Sequence, residues 1–271
     1  MTDPAPQPEL KEMPLPRDFF RRQVFLFLLA LGFLTCLTPA KTASPEALRR
    51  SCIWYPIVGI ALGVILGLPL FLFEPSSAAA PLWAVGWVAV SARLTRALHY
   101  DGVADVLDAL GSGKTGEGFR AVLKDSRIGT FGVLGLVLVI LGQVAAASLL
   151  IPSPEWRGAL IFAPVFGRCA PIVLTLLAPP HPKAGLGSIT CAAPKGACLL
   201  TAVTVAALFP FFCLPARHVP ALLGVAVVSL GLALAFISRV ARRENGLNGD
   251  FFGCAIIAGE CAVLLAGCIL L

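Results

Sequence analysis

Three aspartates are spaced four and three residues apart in the segment LHYDGVADVLDALG, at Asp101, Asp105 and Asp108. On a helix, these side chains would fall within about 60° of one another. Like charges so close together repel, and the repulsion grows at a membrane boundary because carboxylates are costly to desolvate. Mg²⁺ would relieve the repulsion, since it commonly binds one or two carboxylates together with substrate phosphate. The alternative is a solvated acidic helix face that binds nothing.

The residues around these aspartates favour a metal–diphosphate site. Gly102 is a small neighbour that would let a substrate approach the backbone, and Asp125, in KDSRIGTFG, could supply a further carboxylate. Arg120, Lys124 and Arg127 are close in sequence, and basic side chains of this kind hold phosphate oxygens. The segment therefore predicts a site for a divalent cation and a diphosphate.

Charged residues also occur within or beside the apolar stretches. Arg168 lies inside GALIFAPVFGRCAPIVLTLL, and Glu260 lies inside the last apolar stretch. Such charges are costly in a membrane and are functional hypotheses by default, so we expect Arg168 to bind an anion or to pair with an aspartate. Asp250 directly precedes the last stretch. His99 would face away from Asp101 on a helix, which favours packing over metal ligation.

Two glycine-rich segments are less specific. GSGKTGEG at 111–118 does not fit a nucleotide-binding phosphate loop, because Asp108 occupies the position of the first glycine and no buried strand precedes it. It predicts instead a flexible loop that closes over substrate. HPKAGLGSIT at 181–190 is a weak indication by itself.

The composition identifies the elements that must position these groups. Of 271 residues, 58% are hydrophobic and 13% are charged, against roughly a quarter charged in a typical soluble domain. A soluble globule of this size could not bury so much apolar surface, which excludes a disulfide scaffold, a disordered regulator and an ordinary cytosolic enzyme. The sequence predicts an all-α, polytopic integral membrane helical bundle with about 7–8 membrane helices in a lipid bilayer.

Eight apolar blocks are candidates for these helices, since about 30 Å of hydrocarbon takes ~20 residues of helix. They lie near 23–39, 52–73, 79–97, 129–151, 158–178, 196–215, 219–238 and 253–271. Residues 1–22 are polar and rich in proline, which predicts a flexible N-terminal arm. Residues 23–271 are then a single transmembrane catalytic domain. The first block is either a full span or a re-entrant helix.

Basic residues are concentrated in alternate loops. Four loops together carry fourteen lysines and arginines, and the short loops between them carry only Arg157 and Arg217. By the positive-inside rule the basic loops face the cytoplasm, including the active-site loop 98–132. The N-terminal arm is also basic, and both preferences hold together only if the first block dips in and returns. This favours a re-entrant or interfacial first helix.

The net charge of +6 has the same origin as the basic loops. The basic residues form no dense patch with interleaved aromatics, so we expect no nucleic-acid partner.

The nine cysteines include no CxxC pair. Cys254, Cys261 and Cys268 recur every seven residues, which predicts packing along one helix face rather than metal binding or disulfides.

Taken together, these segments resemble the cobalamin synthase family, the adenosylcobinamide-GDP ribazoletransferases. The resemblance is carried most strongly by LHYDGVADVLDA at 98–109 and KDSRIGTFG at 124–132. Arg168, GLG at 185–187 and NGDFFGCAIIAGE at 248–260 follow in the family's order. At four positions the family commonly has another residue: glycine at Ala109, arginine at Cys36, lysine near Gln143 and an acidic residue at Ile257.

The resemblance implies a Mg²⁺-dependent enzyme that joins adenosylcobinamide-GDP and α-ribazole, or its 5′-phosphate, and releases GMP. It implies a bacterial or archaeal cytoplasmic (inner) membrane protein with its active site on the cytoplasmic face, and a homo-oligomer is left open. The implied metal ligands are Asp101, Asp105, Asp108 and Asp125. Either Asp105 or Asp108 would accept the hydroxyl proton. The implied substrate-binding residues are Lys124, Arg127, Arg168, Gly102, Gly185, Gly187, Asp250 and Glu260.

Two alternatives remain. An enzyme that transfers a phosphoalcohol from a CDP-linked lipid also uses clustered aspartates, but its usual signature has an arginine shortly after DG, where this chain has Asp105. A transporter could use Arg168 and Glu260 within the membrane, although the inverted repeats that would support it are not seen in the sequence.

Overall fold

The computed structural model describes residues 15–39, 42–182 and 185–271, and within these ranges the regular structure is helical apart from isolated bridge residues, among them the pair Pro180 and Leu247. A 3-10 turn at Cys52–Trp54 joins α2 to α3. The α-helices are α1 Phe19–Leu34, α2 Pro45–Ser51, α3 Tyr55–Phe73, α4 Ala80–Leu94, α5 Leu98–Gly111, α6 Glu117–Leu123, α7 Thr130–Leu150, α8 Ala159–Leu177, α9 Leu186–Cys191, α10 Lys195–Leu208, α11 Pro210–Cys213, α12 Val219–Arg243 and α13 Gly249–Leu270.

The described part of the chain has six segments long and apolar enough to cross a membrane. They are Pro45–Phe73, Thr130–Leu150, Ala159–Leu177, Lys195–Cys213, Val219–Arg243 and Gly249–Leu270. The other two predicted blocks form the shorter helices α1, of 16 residues, and α4, of 15. The prediction of an all-α polytopic membrane bundle is confirmed.

Helix α8 forms the centre of the bundle, between α3 and α13. Glycines let the helix backbones approach closely: a Cβ added at Gly59 would lie 2.7 Å from Val165 Cα, and one added at Gly259 would lie 2.8 Å from Gly167 Cα. Small residues have this role in membrane bundles, where close van der Waals packing drives helix association. Cys254, Cys261 and Cys268 pack against the core from α13, and all nine cysteines are free thiols.

Helix α1 packs against the start of α3. The rings of Phe27 and Phe33 lie against the neighbouring residues Trp54 and Tyr55, with centroid separations of 5.7 Å and 6.3 Å. The two phenylalanines are about 9 Å apart along their helix, whereas their partners are adjacent in sequence.

Three of the basic loops meet at one end of the bundle. The backbone N–H of Gly116, before α6, donates to the Glu244 carboxylate at 2.7 Å. The backbone N–H of His181, after α8, donates to the carbonyl oxygen of Leu247 at 3.0 Å. The loops before α6, after α8 and before α13 therefore surround one surface.

Candidate active site

The three spaced aspartates lie on α5, as the sequence predicts. The helix buries Tyr100, Val103 and Val106 on its other side. Those apolar residues pack into the bundle and leave Asp101 exposed and Asp105 partly buried. Gly102 of α5 lies against Asp250 at the start of α13, so the acidic face lies at the end of the bundle where the basic loops meet.

The start of α13 brings a fourth carboxylate to this face. A Cβ at Gly102 would lie 2.7 Å from the backbone oxygen of Asp250 and 3.0 Å from its Cα, so the two helices touch through their backbones. The space beside Gly102 is thus filled by α13. Asn248 caps α13 by accepting the Phe251 N–H at 3.2 Å, and its Nδ2 donates to Asp250 Oδ2 at 2.9 Å.

The acidic cluster changes the protonation of Asp105. Burial, followed by the charges of Asp101, Asp250 and Asp108, raises the pKa of Asp105 to about 7. The four carboxylates therefore share one electrostatic environment, in which a cation would be stabilised. A carboxylate with a pKa near neutrality is also suited to accept a proton at pH 7.

The donor set of this cluster fits Mg²⁺ shared with a substrate. Among the described residues, no three His, Cys, Asp or Glu side chains are close enough to form a metal site by themselves. Mg²⁺ seldom uses such a cage, because it keeps several waters and binds one or two carboxylates plus substrate phosphates. The cluster offers only oxygen ligands, and the raised pKa of Asp105 shows that its negative charge is destabilised without a cation. Both features meet that requirement.

Asp108 differs from its neighbours because both of its oxygens already accept backbone hydrogen bonds. Oδ2 accepts the N–H of Gly129 and Oδ1 accepts the N–H of Gly132, each at 2.7 Å. These two N–H groups lie at the start of α7, whose N-cap residue is a glycine without a capping side chain. Asp108 therefore caps a neighbouring helix.

The predicted loop residues Asp125 and Arg127 pair with each other. Arg127 Nη2 lies 2.7 Å from Asp125 Oδ2, and Arg127 Nε lies 3.0 Å from Asp125 Oδ1. These hydrogen bonds lower the pKa of Asp125 to about 2, so its carboxylate is ionised. Metal binding by Asp125 and anion binding by Arg127 stay predictions.

A cleft of about 290 Å³ opens beside Asp250. Arg120 and Lys124 line it from α6 and the residue after it, and Gly185 and Asn248 line it from the loops before α9 and α13. Two basic side chains and the carboxylates of Asp250 and Glu244 thus border one cavity, an arrangement that suits a phosphate bridged to the protein by a cation.

Gly187, the other glycine of the GLG motif, makes a structural contact. A Cβ there would lie 2.7 Å from the backbone carbonyl carbon of Asn248. This close approach seats α9 against the residue that caps α13. Substrate binding by Gly185 and Gly187 stays a prediction.

Arg168 and Glu260 form a buried ion pair between α8 and α13. Their side chains are 0% and 1% exposed. The expectation that Arg168 pairs with an aspartate is wrong, because Glu260 projects toward it across the close contact between the two helices. Substrate contact by either residue stays a prediction. His99 is also buried, in keeping with the expected packing role.

Glu244 is a residue of the site that was not predicted from the sequence. This residue is 2% exposed, and its carboxylate accepts hydrogen bonds from the Gly116 backbone at 2.7 Å and from Arg243 Nε at 2.6 Å. It therefore tethers the end of the loop that we expected to close over substrate. An acidic residue directly after the basic run ARR was the available indication.

Comparisons with known proteins support the resemblance. Residues 26–268 match the family described as Cobalamin-5-phosphate synthase. A relative from Nitratidesulfovibrio vulgaris (strain DSM 19637 / Miyazaki F), named Adenosylcobinamide-GDP ribazoletransferase, is 41% identical over 88% of this chain and 92% of its own length. Relatives of the same name from Brevibacillus brevis and Escherichia coli (strain K12 / DH10B) are 34% and 32% identical over 88% and 89% of this chain, and 96% and 98% of their own lengths. No solved structure matches.

Proposed function

Because the chain belongs to the cobalamin-5-phosphate synthase family, we propose that it joins adenosylcobinamide-GDP and α-ribazole, or its 5′-phosphate, and releases GMP. The product is adenosylcobalamin or its 5′-phosphate. The observation that carries this proposal is that Asp250, whose charge acts on Asp105, lines a cleft together with Arg120 and Lys124. Carboxylates and cations at one cleft are what a diphosphate substrate with a bound metal requires.

The reaction needs one bond made and one broken at a phosphorus atom. A ribose hydroxyl oxygen of α-ribazole attacks the phosphorus joined to the cobinamide, and the bond from that phosphorus to the bridging oxygen breaks. GMP leaves with the electron pair. The hydroxyl proton passes to a carboxylate of the acidic cluster, and we propose Asp105 for this role. Positioning and electrostatics do the rest of the catalysis.

We propose Mg²⁺ as the cofactor, held by one or two carboxylates of the group Asp101, Asp105 and Asp250 together with substrate phosphate. When bound, Mg²⁺ would neutralise diphosphate oxygens and the charge of the leaving phosphate. Arg120 and Lys124 would bind the remaining phosphate oxygens from the other side of the cleft.

The positive-inside rule supports the proposed location. The loops that carry most of the basic residues share one end of the bundle with the acidic cluster and the cleft. We therefore propose that this end faces the cytoplasm, in the inner membrane of a bacterium or archaeon.

A product assay tests the proposed function against the nearest rival. Purified protein in detergent with Mg²⁺ is given adenosylcobinamide-GDP and α-ribazole, or a CDP-linked lipid and an alcohol acceptor. We expect GMP release in the first mixture, abolished by EDTA, and no CMP release in the second. CMP release without GMP release would overturn the proposal in favour of a phosphoalcohol transferase.

The proposal predicts that Mg²⁺ binds more tightly as the pH rises to about 7 and then levels off. The pKa of Asp105 is raised to about 7 in the metal-free protein, so at lower pH a proton competes with the metal for this carboxylate. The half-saturating Mg²⁺ concentration should then rise by up to about tenfold for each pH unit below 7. Initial rates across Mg²⁺ concentrations at several pH values measure it. A half-saturating concentration that is constant from pH 5.5 to 8 would contradict the prediction.

Substitution of Gly102 by alanine should reduce product formation by about 100-fold, because a displacement of about 1 Å at a reacting group has effects of this size. The added Cβ would lie 2.7 Å from a backbone atom of Asp250, so α13 must move away from the acidic helix. Gly86→Ala is the matched control, since nothing lies within 4 Å of a Cβ there. Equal rates for Gly102→Ala, Gly86→Ala and the wild type would refute the argument.

A further inference from the structure

We propose that Asp108 is a positioning residue and not a metal ligand: its carboxylate fastens the start of α7, and with it the basic segment 124–129, to the acidic helix α5. The inference rests on the proposed function for what the segment is positioned to do. The fastening itself rests on geometry alone.

The carboxylate of Asp108 serves as the missing cap of α7. Gly129 is the N-cap residue and Gly132 is the third residue of the helix, and these are positions whose N–H groups lack partners inside a helix. Asp108 accepts both, one on each oxygen, at 2.7 Å. The negative charge also lies at the positive end of the helix dipole. An aspartate from another helix thus does what an N-cap side chain usually does.

The two glycines are matched to this carboxylate. A Cβ at Gly129 would lie 2.5 Å from Asp108 Oδ1, and a Cβ at Gly132 would overlap Oδ2 of the same residue. Any other residue at either position would push the carboxylate off the helix end. The fastening therefore depends on Asp108 and on both glycines, which follow it in the sequence by 21 and 24 positions.

The segment held in this way carries the basic groups of the cleft. Lys124, which lines the cleft, and the Asp125–Arg127 pair stand directly before Gly129. Asp108 follows Asp105 by about one helical turn. Fixing Asp108 to the end of α7 therefore sets the separation between the reacting carboxylate and the phosphate-binding side chains. Misplacement of the phosphate-binding side chains would lower the rate at which the bound substrates react. It would not change the affinity for the metal.

The first test separates positioning from metal binding. In Asp108→Asn, one carboxylate oxygen that accepts a backbone N–H is replaced by an amide NH₂ group. This group can only donate and would face a backbone N–H, so the fastening is lost. We expect kcat to fall by about 100-fold while the half-saturating Mg²⁺ concentration stays at the wild-type value. In Asp105→Asn the half-saturating concentration should rise.

The second test needs no activity and so remains decisive if the proposed function fails. Trypsin cleaves after Lys124 and Arg127, and release of the segment should make both bonds more susceptible. We expect faster cleavage there in Asp108→Asn and Gly132→Ala, and wild-type rates in Asp105→Asn. Gly142→Ala is the control in the same helix, because a Cβ there meets nothing within 4 Å.

Two results would overturn the inference. One is an Asp108→Asn protein with wild-type tryptic resistance whose activity is restored by excess Mg²⁺, which identifies a metal ligand. The other is a Gly132→Ala protein with wild-type kcat and tryptic resistance, and this variant decides the question if Asp108→Asn does not accumulate. Absence of wild-type transferase activity would refute the proposed function but leave the proteolysis comparison valid.

Discussion

Replacement of Asp105 by asparagine is expected to abolish Mg²⁺-dependent GMP release, by about 10³-fold or more, while the protein stays folded in the membrane. The variant keeps the shape of the side chain and removes its charge. It therefore removes both a proposed metal ligand and the group that takes the hydroxyl proton. The rate of GMP release by purified protein measures the effect.

The same substitution should raise stability above neutral pH when no metal is present. The folded-state pKa of Asp105 is raised from 3.8 to about 7, so its charge opposes folding once the pH exceeds the unfolded pKa. The destabilisation grows as the pH rises from about 4 to about 7 and is complete above that range. A site that stores repulsion for the sake of function behaves in this way.

Thermal unfolding in EDTA at pH 8 and at pH 4 tests the direction of this change in stability. We expect Asp105→Asn to unfold at a higher temperature than the wild type at pH 8 and at the same temperature at pH 4. Glu74→Gln is the control, because it makes the same charge change after α3, at an exposed position. A lower unfolding temperature for Asp105→Asn at pH 8, or full enzymatic activity, would contradict the assignment.

Removal of one partner from the Arg168–Glu260 pair is expected to destabilise the protein by about 3–5 kcal/mol. Both side chains are at most 1% exposed, so Glu260→Met would leave a guanidinium buried without its counter-charge. Arg168→Met would do the same to the carboxylate. The double variant, Arg168→Met with Glu260→Met, should regain most of the loss, because apolar residues of similar size can replace a buried pair.

Unfolding of the two single variants and the double variant measures this coupling. The exposed pair Arg217–Glu155 is the control, and Arg217→Met should destabilise the protein far less than either buried single variant. A double variant that is folded and active would show that the pair is structural. A double variant that is folded and inactive would support the predicted contact with substrate. Single variants as stable as the wild type would contradict the expected cost.

The sequence predicted well what depends on local spacing. Asp101, Asp105 and Asp108 lie on one helix because their four- and three-residue spacing matches the helical period. The apolar blocks became helices because a backbone in hydrocarbon must satisfy its own hydrogen bonds.

The features of the site that were not predicted from the sequence depend on contacts between helices that are distant in the sequence. Asp250 joins the acidic face because Gly102 lets α13 touch α5, and Gly102 was interpreted as access for substrate. Glu260, 92 residues from Arg168, is its partner because a close helix contact aligns them. No local pattern in the sequence encodes either approach.

The claim that α5 and the start of α13 form one metal–diphosphate centre is tested most directly by Mn²⁺ binding, followed by electron paramagnetic resonance on the purified protein. Mn²⁺ takes the same oxygen ligands as Mg²⁺. We expect the protein to bind Mn²⁺, adenosylcobinamide-GDP to increase its affinity for Mn²⁺, and Mg²⁺ to displace the Mn²⁺. Binding should be weakened in Asp101→Asn, Asp105→Asn and Asp250→Asn and unchanged in Glu74→Gln. Equal Mn²⁺ binding in all these proteins, or none in the presence of substrate, would contradict it.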